Sequence, residues 1–231
     1  DEMPTEPPQE TAVTGESDSG RLVIDIPDPL GLFLTRERLA AEPGKVVELH
    51  AEIVNRTTID DRVRLKLDGL PAQWIELPDG FVDAPANGSA KITVRIKPPR
   101  SADTPVGRQR FRVSVVSQRF SDSDASVNGS LLLAGYNAFT ASLEQKETPI
   151  PHVVNVTVRN DGNTPNTYAI KLDENEHIKF REPVSPIQLN PGQSNLFTLE
   201  LDSNKLLLFG TSSNTEYKLR VAAKTGEDQA L

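Results

Sequence analysis

Hydrophobic and polar residues alternate along several short stretches of this chain, and the alternation occurs twice. Val47–Asn55 is an alternating run closed by Asn, and a similar run at 153–160 follows about 105 residues later. Other matched pairs keep the same offset to within a residue or two: 91–96 with 196–201, and 111–115 with 217–221. Strict alternation predicts half-buried strands, and similarity at a fixed offset predicts two copies of one domain.

The spacing of these runs predicts the class of fold. Turns rich in Pro, Gly, Asn and Asp separate them, and no segment shows a convincing helical period. This pattern is typical of antiparallel β-sandwiches. We predict an all-β chain of two tandem immunoglobulin-like sandwiches, the first copy at 21–134 and the second copy at 135–231, with a disordered acidic linker at 1–20. The predicted strands are 46–54, 62–67, 90–96, 108–117 and 126–133 in the first copy, and 139–143, 152–159, 167–172, 178–180, 195–201 and 216–223 in the second.

Two other segments and the junction refine this prediction. The short apolar runs at 22–26 and 30–34 are broken by Pro27 and Pro29, which predicts a split strand along a sheet edge, where proline is tolerated. At 133–136 only a residue or two separates the copies, so we expect a restricted relative orientation. The apolar run at 206–209 has no counterpart in the first copy, and a strand, an interface patch and a helical turn all remain open for it.

Charge is distributed unevenly along the chain. The net charge is −8, and the first twenty residues contribute −6 of it, with no Lys or Arg. The remainder is therefore close to neutral, which argues against nucleic-acid binding because that requires a concentrated basic face. The acidic residues of the first twenty are Asp1, Glu2, Glu6, Glu10, Glu16 and Asp18.

The composition excludes several classes of site. There are no cysteines, which rules out disulfides, a zinc ribbon and a thiol nucleophile. No apolar run approaches the ~20 residues that a membrane-spanning helix needs, so we predict no membrane contact from this segment itself. The chain does not begin with Met, which suggests a processed product or a piece of a longer polypeptide, with room for a membrane anchor outside it.

Aromatic residues offer the only candidate carbohydrate site. Trp74, the single tryptophan, could serve as a sugar-stacking platform, but its place after Pro71 favours a role as a plug at one end of the core. A carbohydrate-binding function predicts that Trp74 or Tyr136 faces solvent in a groove.

Polar clusters do not complete a catalytic or metal site. The histidines are too far apart in sequence to suggest a metal site or a triad. Of two acidic clusters, the second, Asp122-Ser123-Asp124, resembles half of a calcium loop, but no Gly and distal Glu complete it. Acidic residues of the second copy do not pair as a glycosidase acid and base. We therefore predict no catalytic, cofactor or metal residues. The residues considered are His50, His152 and His177; Asp60-Asp61 and Asp122-Ser123-Asp124; and Glu174-Asn175-Glu176 with Glu200.

Four glycosylation sequons are also present, and about two are expected by chance from this composition. They begin at Asn55, Asn87, Asn128 and Asn155.

Several short motifs of the first copy occur together in a known family. They are Asn-Arg-Thr at 55–57, Gly-Leu-Pro-x-x-Trp at 69–74, Asn-Gly-Ser followed by Lys-Ile-Thr-Val at 87–94, and Pro-Val-Gly at 105–107. With these motifs the segment 45–117 resembles the bacterial and archaeal immunoglobulin-like repeats called NEW-type or α-galactosidase-associated domains. The first copy departs from the family pattern at 86–88, where Pro-Gly is usual. The second copy keeps the motifs at 160–163 and 190–194 but lacks the Gly-Leu-Pro-x-x-Trp turn.

The resemblance implies an immunoglobulin-like fold and a non-catalytic role, because such repeats accompany glycoside hydrolases, surface proteins and envelope proteins. The segment 98–107, in a tandem pair, is also similar to envelope-anchored proteins encoded near bacterial contractile injection systems. We therefore predict a spacer and protein-interaction platform without enzyme activity in an extracytoplasmic assembly of the envelope, the surface or the secreted fraction. Its expected partners are other proteins of that assembly. The alternative is a carbohydrate-binding accessory module of a glycoside hydrolase, with a glycan as ligand.

Overall fold

The computed structural model describes residues 28–121, 125–145, 152–173, 177–203 and 217–230. Within these ranges the chain is all-β, as predicted, and its only helical element is a 3-10 turn at Ala72–Trp74. The strands of the first copy are β1 (Leu30–Leu34), β2 (Arg38–Ala41), β3 (Val47–Asn55), β4 (Asp61–Asp68), β5 (Ile75–Glu76), β6 (Val82–Ala84), β7 (Ser89–Ile96), β8 (Gly107–Ser117) and β9 (Ser126–Leu133).

The first copy is a sandwich of two sheets with immunoglobulin strand order. One sheet runs β1-β3-β7-β5 and the other β2-β9-β8-β4-β6. These orders match the A-B-E-D and G-F-C sheets of an immunoglobulin domain. All neighbouring strands are antiparallel except β2 and β9, which pair in parallel. As the prolines predicted, β1 lies at the edge of this sheet, and among the described strands it pairs with β3 alone.

The second copy repeats this arrangement. Its sheets run β10-β11-β15-β13 and β14-β12-β16-β17, again the A-B-E-D order facing a sheet with C, F and G as neighbours. Its strands are β10 (Phe139–Gln145), β11 (His152–Asn160), β12 (Asn166–Leu172), β13 (Ile178–Phe180), β14 (Ile187–Leu189), β15 (Ser194–Ser203), β16 (Leu219–Ala223) and β17 (Gln229–Ala230).

Each sandwich is filled by the inward side of its alternating strands. In β4, for example, Val63, Leu65 and Leu67 are buried while the residues between them are exposed. The buried apolar residues form two clusters, one between Leu30 and Leu133 and the other between Ala141 and Val221. The clusters lie on either side of the predicted boundary at 134/135, and the boundary itself stays a prediction.

A buried asparagine ends strand β3 of the first sandwich. Asn55 is fully buried at the end of β3, and its Nδ2 donates to the carbonyl oxygens of Ile59 and Ala84, both at 2.9 Å. Its Oδ1 accepts from the backbone N–H of Thr57 at 3.0 Å. This is the Asx turn that the sequence predicts for an Asn at a strand end. The two donated bonds extend its role, because they tie the loop after β3 to the end of β6.

The second copy builds the same network from equivalent residues. Asn160, also fully buried, donates from Nδ2 to the carbonyl oxygens of Thr164 at 2.9 Å and Leu189 at 3.0 Å. Its Oδ1 accepts from the N–H of Gly162 at 3.0 Å. The sequence separations to the two carbonyl acceptors, 4 and 29 residues, are the same in both copies. The repeat therefore preserves a hydrogen-bond network as well as a strand order.

The turn before β7 explains why the first copy can lack the usual Pro-Gly. Asn87 has a φ of 51°, and Gly192 at the equivalent position before β15 has a φ of 74°. Asn is among the residues other than Gly that adopt this left-handed conformation most readily. The departure at 86–88 thus changes the residue and keeps the backbone.

The Gly-Leu-Pro-x-x-Trp motif forms the tight turn after β4. Gly69 has a φ of 96°, and a Cβ there would lie 2.5 Å from the carbonyl oxygen of Arg110. Leu70 is buried, and the N–H of Trp74 donates to the carbonyl oxygen of Pro71 at 2.9 Å, which closes the 3-10 turn. This turn points the indole into the core.

Some predictions concern residues outside the described ranges. They are the disordered linker at 1–20, the strand at 22–26, the acidic clusters at 122–124 and 174–176, and the apolar run at 206–209.

Candidate functional site

Trp74 is a core residue and not a binding platform. Only 6% of its surface is exposed, and it belongs to the hydrophobic cluster of the first copy. An indole in this position cannot stack on a sugar without leaving the core. The interpretation of Trp74 as a core plug agrees with this position.

Tyr136 lies at the junction of the two copies and is covered on one face. The Arg100 guanidinium carbon lies 4.4 Å from the centroid of the Tyr136 ring. The Tyr136 hydroxyl donates to the carbonyl oxygen of Asp161 at 3.0 Å. Burial raises the pKa of the hydroxyl, the positive charge of Arg100 opposes that rise, and the Asp161 carboxylate adds to it. Tyr136 is thus half-buried, with one face of its ring against Arg100 of the first copy and its hydroxyl bound to the second copy.

Asn163 joins the two copies through a buried amide. It is 5% exposed, and its Oδ1 accepts from the N–H of Tyr136 at 2.7 Å. Its Nδ2 donates to the carbonyl oxygens of Thr104 and Ala134, both at 3.3 Å. Thr104 is itself buried and belongs to the loop at 98–107 of the first copy. One side chain of the second copy therefore holds both that loop and the end of β9.

Glycine allows the chain to pass closely at the junction. A Cβ on Gly135 would lie 2.6 Å from the Thr164 Cγ2, and one on Gly162 would lie 2.7 Å from the carbonyl oxygen of Tyr136. Real Cβ atoms do not approach other atoms this closely. The contacts of Asn163, Arg100 and Tyr136 together with these glycines are called the junction below.

Sequence reasoning missed the role of the junction residues, although it singled out their motifs. Segments 98–107 and 160–163 entered only through a family resemblance. One feature of the sequence could have indicated this role. Two polar, turn-forming motifs lie on either side of a linker of only one or two residues. Such a linker brings the ends of both sandwiches together.

The acidic pair Asp60-Asp61 is used within the fold. Asp61 is 2% exposed, and its carboxylate accepts from the N–H of Arg62 at 2.7 Å and from the Ser117 hydroxyl at 2.5 Å. Asp60 accepts from the N–H of Ala86 at 2.8 Å. In the described part of the chain, no group of three or more His, Cys, Asp or Glu residues could hold a metal ion.

The remaining candidates stay apart. His50 on β3 lies 3.0 Å from the Thr93 hydroxyl, His152 begins β11, and His177 is exposed before β13. Glu200 is engaged by Arg181, whose guanidinium also contacts Asp202, at 2.6 Å and 2.9 Å respectively. Hydrogen bonding to Asp202 raises the pKa of the Arg181 guanidinium. These carboxylates therefore face a permanent cation on an exposed strand instead of forming an acid-base pair.

The sequons are unequally accessible. Asn55 and Asn155 are buried, which excludes the folded protein as an acceptor at these two positions. Asn128 is exposed on β9, and Asn87 is exposed in its turn.

The outer face of the β2-β9-β8-β4-β6 sheet concentrates positive charge. Inward residues of these strands alternate with outward ones, and the register brings outward residues of distant strands side by side. We call this outer surface the basic face. Its basic residues are Arg38, Arg62, Arg64, Lys66, Arg108, Arg110 and Arg112, and its acidic residues are Asp68 and Asp83.

Three arginines of the basic face have no ion pair, side-chain hydrogen bond or ring contact within the described ranges. Arg62 pairs with Asp83 at 3.3 Å and Lys66 with Asp68 at 2.9 Å. Arg64 lies over the Phe81 ring, and Arg112 donates to the Ser126 hydroxyl at 2.7 Å. Arg38, Arg108 and Arg110, by contrast, make no ion pair or side-chain hydrogen bond within the described ranges, and all three line a groove of about 430 Å³.

This face corrects one step of the sequence argument. The near-neutral charge of residues 21–231 led us to expect no concentrated basic face. That expectation is wrong for the first copy, because strand pairing collects the arginines on one side of the sandwich. The absence of nucleic-acid binding stays a prediction, and it now has to rest on other properties of the face.

Comparisons with known proteins leave the family open. No model of a known protein family matches the chain, and no curated protein matches it. Solved structures share its general form at low similarity. A protein of unknown function from Porphyromonas gingivalis W83 is 14% identical with a TM-score of 0.33, covering 84% of this chain and 92% of its own. The YadV chaperone is 9% identical with a TM-score of 0.33, covering 87% and 99%. The E. coli chaperone DraB is 12% identical with a TM-score of 0.31, covering 87% and 94%.

Similarities at this level carry no argument about function, and the immunoglobulin-like assignment rests on the strand order itself. In the described residues, no helix is long and apolar enough to cross a membrane.

Proposed function

We propose that this chain is a non-catalytic spacer and protein-interaction platform in an extracytoplasmic bacterial assembly of the envelope, the surface or the secreted fraction. The junction is the observation that carries the spacer role. The family resemblance of 45–117 supports the compartment and the class of partner. A spacer must transmit position, and for that its modules must keep a fixed orientation.

The junction supplies such an orientation at low cost in chain length. Asn163 is buried, so losing its hydrogen bonds leaves desolvated carbonyls without donors. Arg100 over the Tyr136 ring adds a cation–π contact between the copies. A flexible linker would need a longer stretch rich in Gly and Ser.

The positions of the candidate chemical groups support a role without catalysis. Asp61 is held in the fold, and Glu200 and Asp202 share the Arg181 guanidinium. A glycosidase needs two carboxyl groups about 5–9 Å apart on either side of a substrate. Within the described ranges these acidic groups are placed as structural partners of cations and hydroxyls.

Loosening the junction should separate the motions of the two copies. In the full chain, the double variant Arg100→Ala/Asn163→Ala removes the ring contact and the hydrogen bonds that cross between the copies. NMR relaxation should then give two different and shorter rotational correlation times, whereas the wild type gives one. Asn128→Ala, an exposed asparagine on β9 that makes none of the junction contacts, serves as the control and should tumble as the wild type does.

The double variant must also stay folded for this result to count. Amide chemical shifts in both cores should remain at their wild-type positions. Arg100→Ala alone, at an exposed position, is the milder version and should give an intermediate effect. Tumbling of the double variant identical to that of the wild type would remove the junction as the source of a fixed orientation.

A further inference from the structure

We propose that the basic face of the first copy binds acidic polypeptide, namely an Asp- and Glu-rich segment of a partner protein that lies along β8 and β9. The proposal deepens the proposed platform role and rests on it. It names the surface that receives the partner and the chemistry that recognises it.

The two outer faces of the first sandwich differ in how their charges are used. On the β1-β3-β7-β5 sheet, Arg95 lies between Glu48 at 3.5 Å and Glu76 at 3.8 Å. On that sheet Glu52 accepts a hydrogen bond from the Ser89 hydroxyl at 2.8 Å. On that sheet the arginine is therefore paired with carboxylates of two neighbouring strands. On the basic face, Arg38, Arg108 and Arg110 have no carboxylate partner within the described ranges. Their positive charge is therefore available to an external anion.

Two of the unpaired arginines lie on β8, and the third, Arg38, lies across β9 on β2. Arg108 and Arg110 are two residues apart on β8, which places them about 6.8 Å apart along the strand. Arg110 and Arg38 both lie beside Ser130, on opposite sides of β9. Since neighbouring strands are about 4.8 Å apart, Arg38 and Arg110 stand about 10 Å from each other across the groove.

Small polar residues form the floor between these cations. Leu132 of β9 is exposed beside Arg108, and the next outward residues, Ser130 and Asn128, line the groove between β2 and β8 with short polar side chains. Their hydroxyl and amide groups can hydrogen-bond a ligand without adding charge. A single carboxylate, Glu37, also lines the groove, and it leaves the arginines in excess.

An extended acidic peptide matches this geometry. Alternate side chains of an extended chain repeat at the same spacing of about 6.8 Å, so carboxylates at every second position can follow Arg108, Arg110 and Arg112. Guanidinium groups bind carboxylates with paired, charge-assisted hydrogen bonds. The match therefore involves both the sign of the charge and its repeat.

The composition of the face disfavours single-stranded nucleic acid as the occupant. Proteins that bind single strands place aromatic rings where bases stack. On the outward positions of β2, β9, β8 and β4 there is no aromatic residue. Phe81 at the border is covered by Arg64, and Phe111 is buried beneath the sheet.

Binding of an acidic peptide to the full chain tests the proposal. The probe is a fluorescent peptide of alternating Glu and Ser, and its affinity is measured by anisotropy. Arg108→Ser/Arg110→Ser should weaken binding at least tenfold. The matched control Lys91→Ser/Arg95→Ser removes the same charge from the opposite face and should change affinity less than twofold. Because the residues of both pairs are exposed, we expect both variants to fold. Thermal unfolding verifies this for each of them.

The acidic residues of 1–20 can compete for the same face, and a second variant accounts for them. In this variant all six are neutralised to Asn or Gln within the full chain. Tighter binding of the probe to it supports the proposal, because the chain's own acidic segment then competes for the site. Binding in either background should fall as salt rises.

Three results would overturn the proposal. The first is no binding of the acidic peptide to the full chain or to the neutralised variant. The second is an equal loss from the two charge-matched pairs, which indicates a non-specific attraction. The third is tighter binding of poly-uridylate or polyphosphate through Arg108 and Arg110, which assigns the face to phosphate polymers. The junction experiment is independent of all three, so failure of the spacer role and failure of this surface are distinguishable.

Discussion

Replacing Asn55 by Ala should lower the free energy of unfolding of the first copy by about 2–4 kcal/mol. The substitution removes the two N–H donors to the carbonyl oxygens of Ile59 and Ala84. The Ala84 carbonyl, whose bond to Asn55 is buried, then loses this donor. A loss of this size corresponds to a fall in melting temperature of roughly 10–25 °C for a domain of about 100 residues. Asn160→Ala should destabilise the second copy by a similar amount, because its network is equivalent.

The single tryptophan makes this prediction specific to one copy. Trp74 lies in the core of the first copy, so its fluorescence reports the unfolding of that copy alone. Asn55→Ala should shift the tryptophan transition in urea, whereas Asn160→Ala should leave it in place and shift amide signals of the second copy. Asn128→Ala is the exposed control and should move neither.

Asn55→Asp separates hydrogen bonding from volume. The carboxylate has nearly the same shape as the amide but cannot donate to the two carbonyl oxygens. It should destabilise the first copy at least as much as Ala does. If both variants unfold within about 0.5 kcal/mol of the wild type, the buried network does not hold the loop to β6.

Trp74→Ala should lower the free energy of unfolding of the first copy by about 3–5 kcal/mol. The indole is 6% exposed and packs in the cluster between the sheets, so its removal leaves a large cavity. Circular dichroism and amide NMR should show that the first copy unfolds earlier in urea while the second copy is unchanged. Trp74→Phe, which keeps an aromatic ring in the core, should cost less.

The same variant distinguishes core packing from sugar binding. Core packing predicts lost stability, with any loss of ligand binding secondary to unfolding. A Trp74→Ala protein with wild-type stability that has lost binding on a glycan array would instead favour the carbohydrate-binding module.

Long strands were predictable because one side of each is buried. Alternation over eight or nine residues marks β3, β4 and β7 clearly, and the structure places them within a residue or two of the predicted limits. The strands β5 and β17 span two residues each, and a segment of two residues is too short to show alternation. Their pairing depends on the strands already formed beside them.

The local role of a polar residue was predictable, and its long-range partners were not. Asn55 and Asn160 follow strands, so an Asx turn two residues on could be expected from position alone. Their bonds to Ala84 and Leu189 cross 29 residues and depend on how the sheets face each other. Asn163 is the stronger case, since its acceptor at Thr104 lies 59 residues away in the other copy.

The basic face shows why total charge is a poor guide to surface charge. Arg38, Arg64 and Arg110 are far apart in sequence. The net charge of residues 21–231 is nevertheless close to zero, because acidic residues elsewhere balance the arginines. Only the parallel pairing of β2 with β9 and the antiparallel order of β9, β8 and β4 bring them to one surface. The alternation of arginines along each strand can be read from the sequence. Which face of the sheet they share can be told only once the pairing register of the strands is known.

Residual dipolar couplings of the wild-type full chain would show whether the junction holds the two immunoglobulin-like sandwiches in one orientation. Amide couplings would be measured in a weakly aligning medium for the described strands of both copies. If the junction is rigid, one alignment tensor, of one magnitude and direction, should fit both copies together. Two tensors of clearly different magnitude would mean that the copies reorient independently, and the spacer role would then have no structural basis.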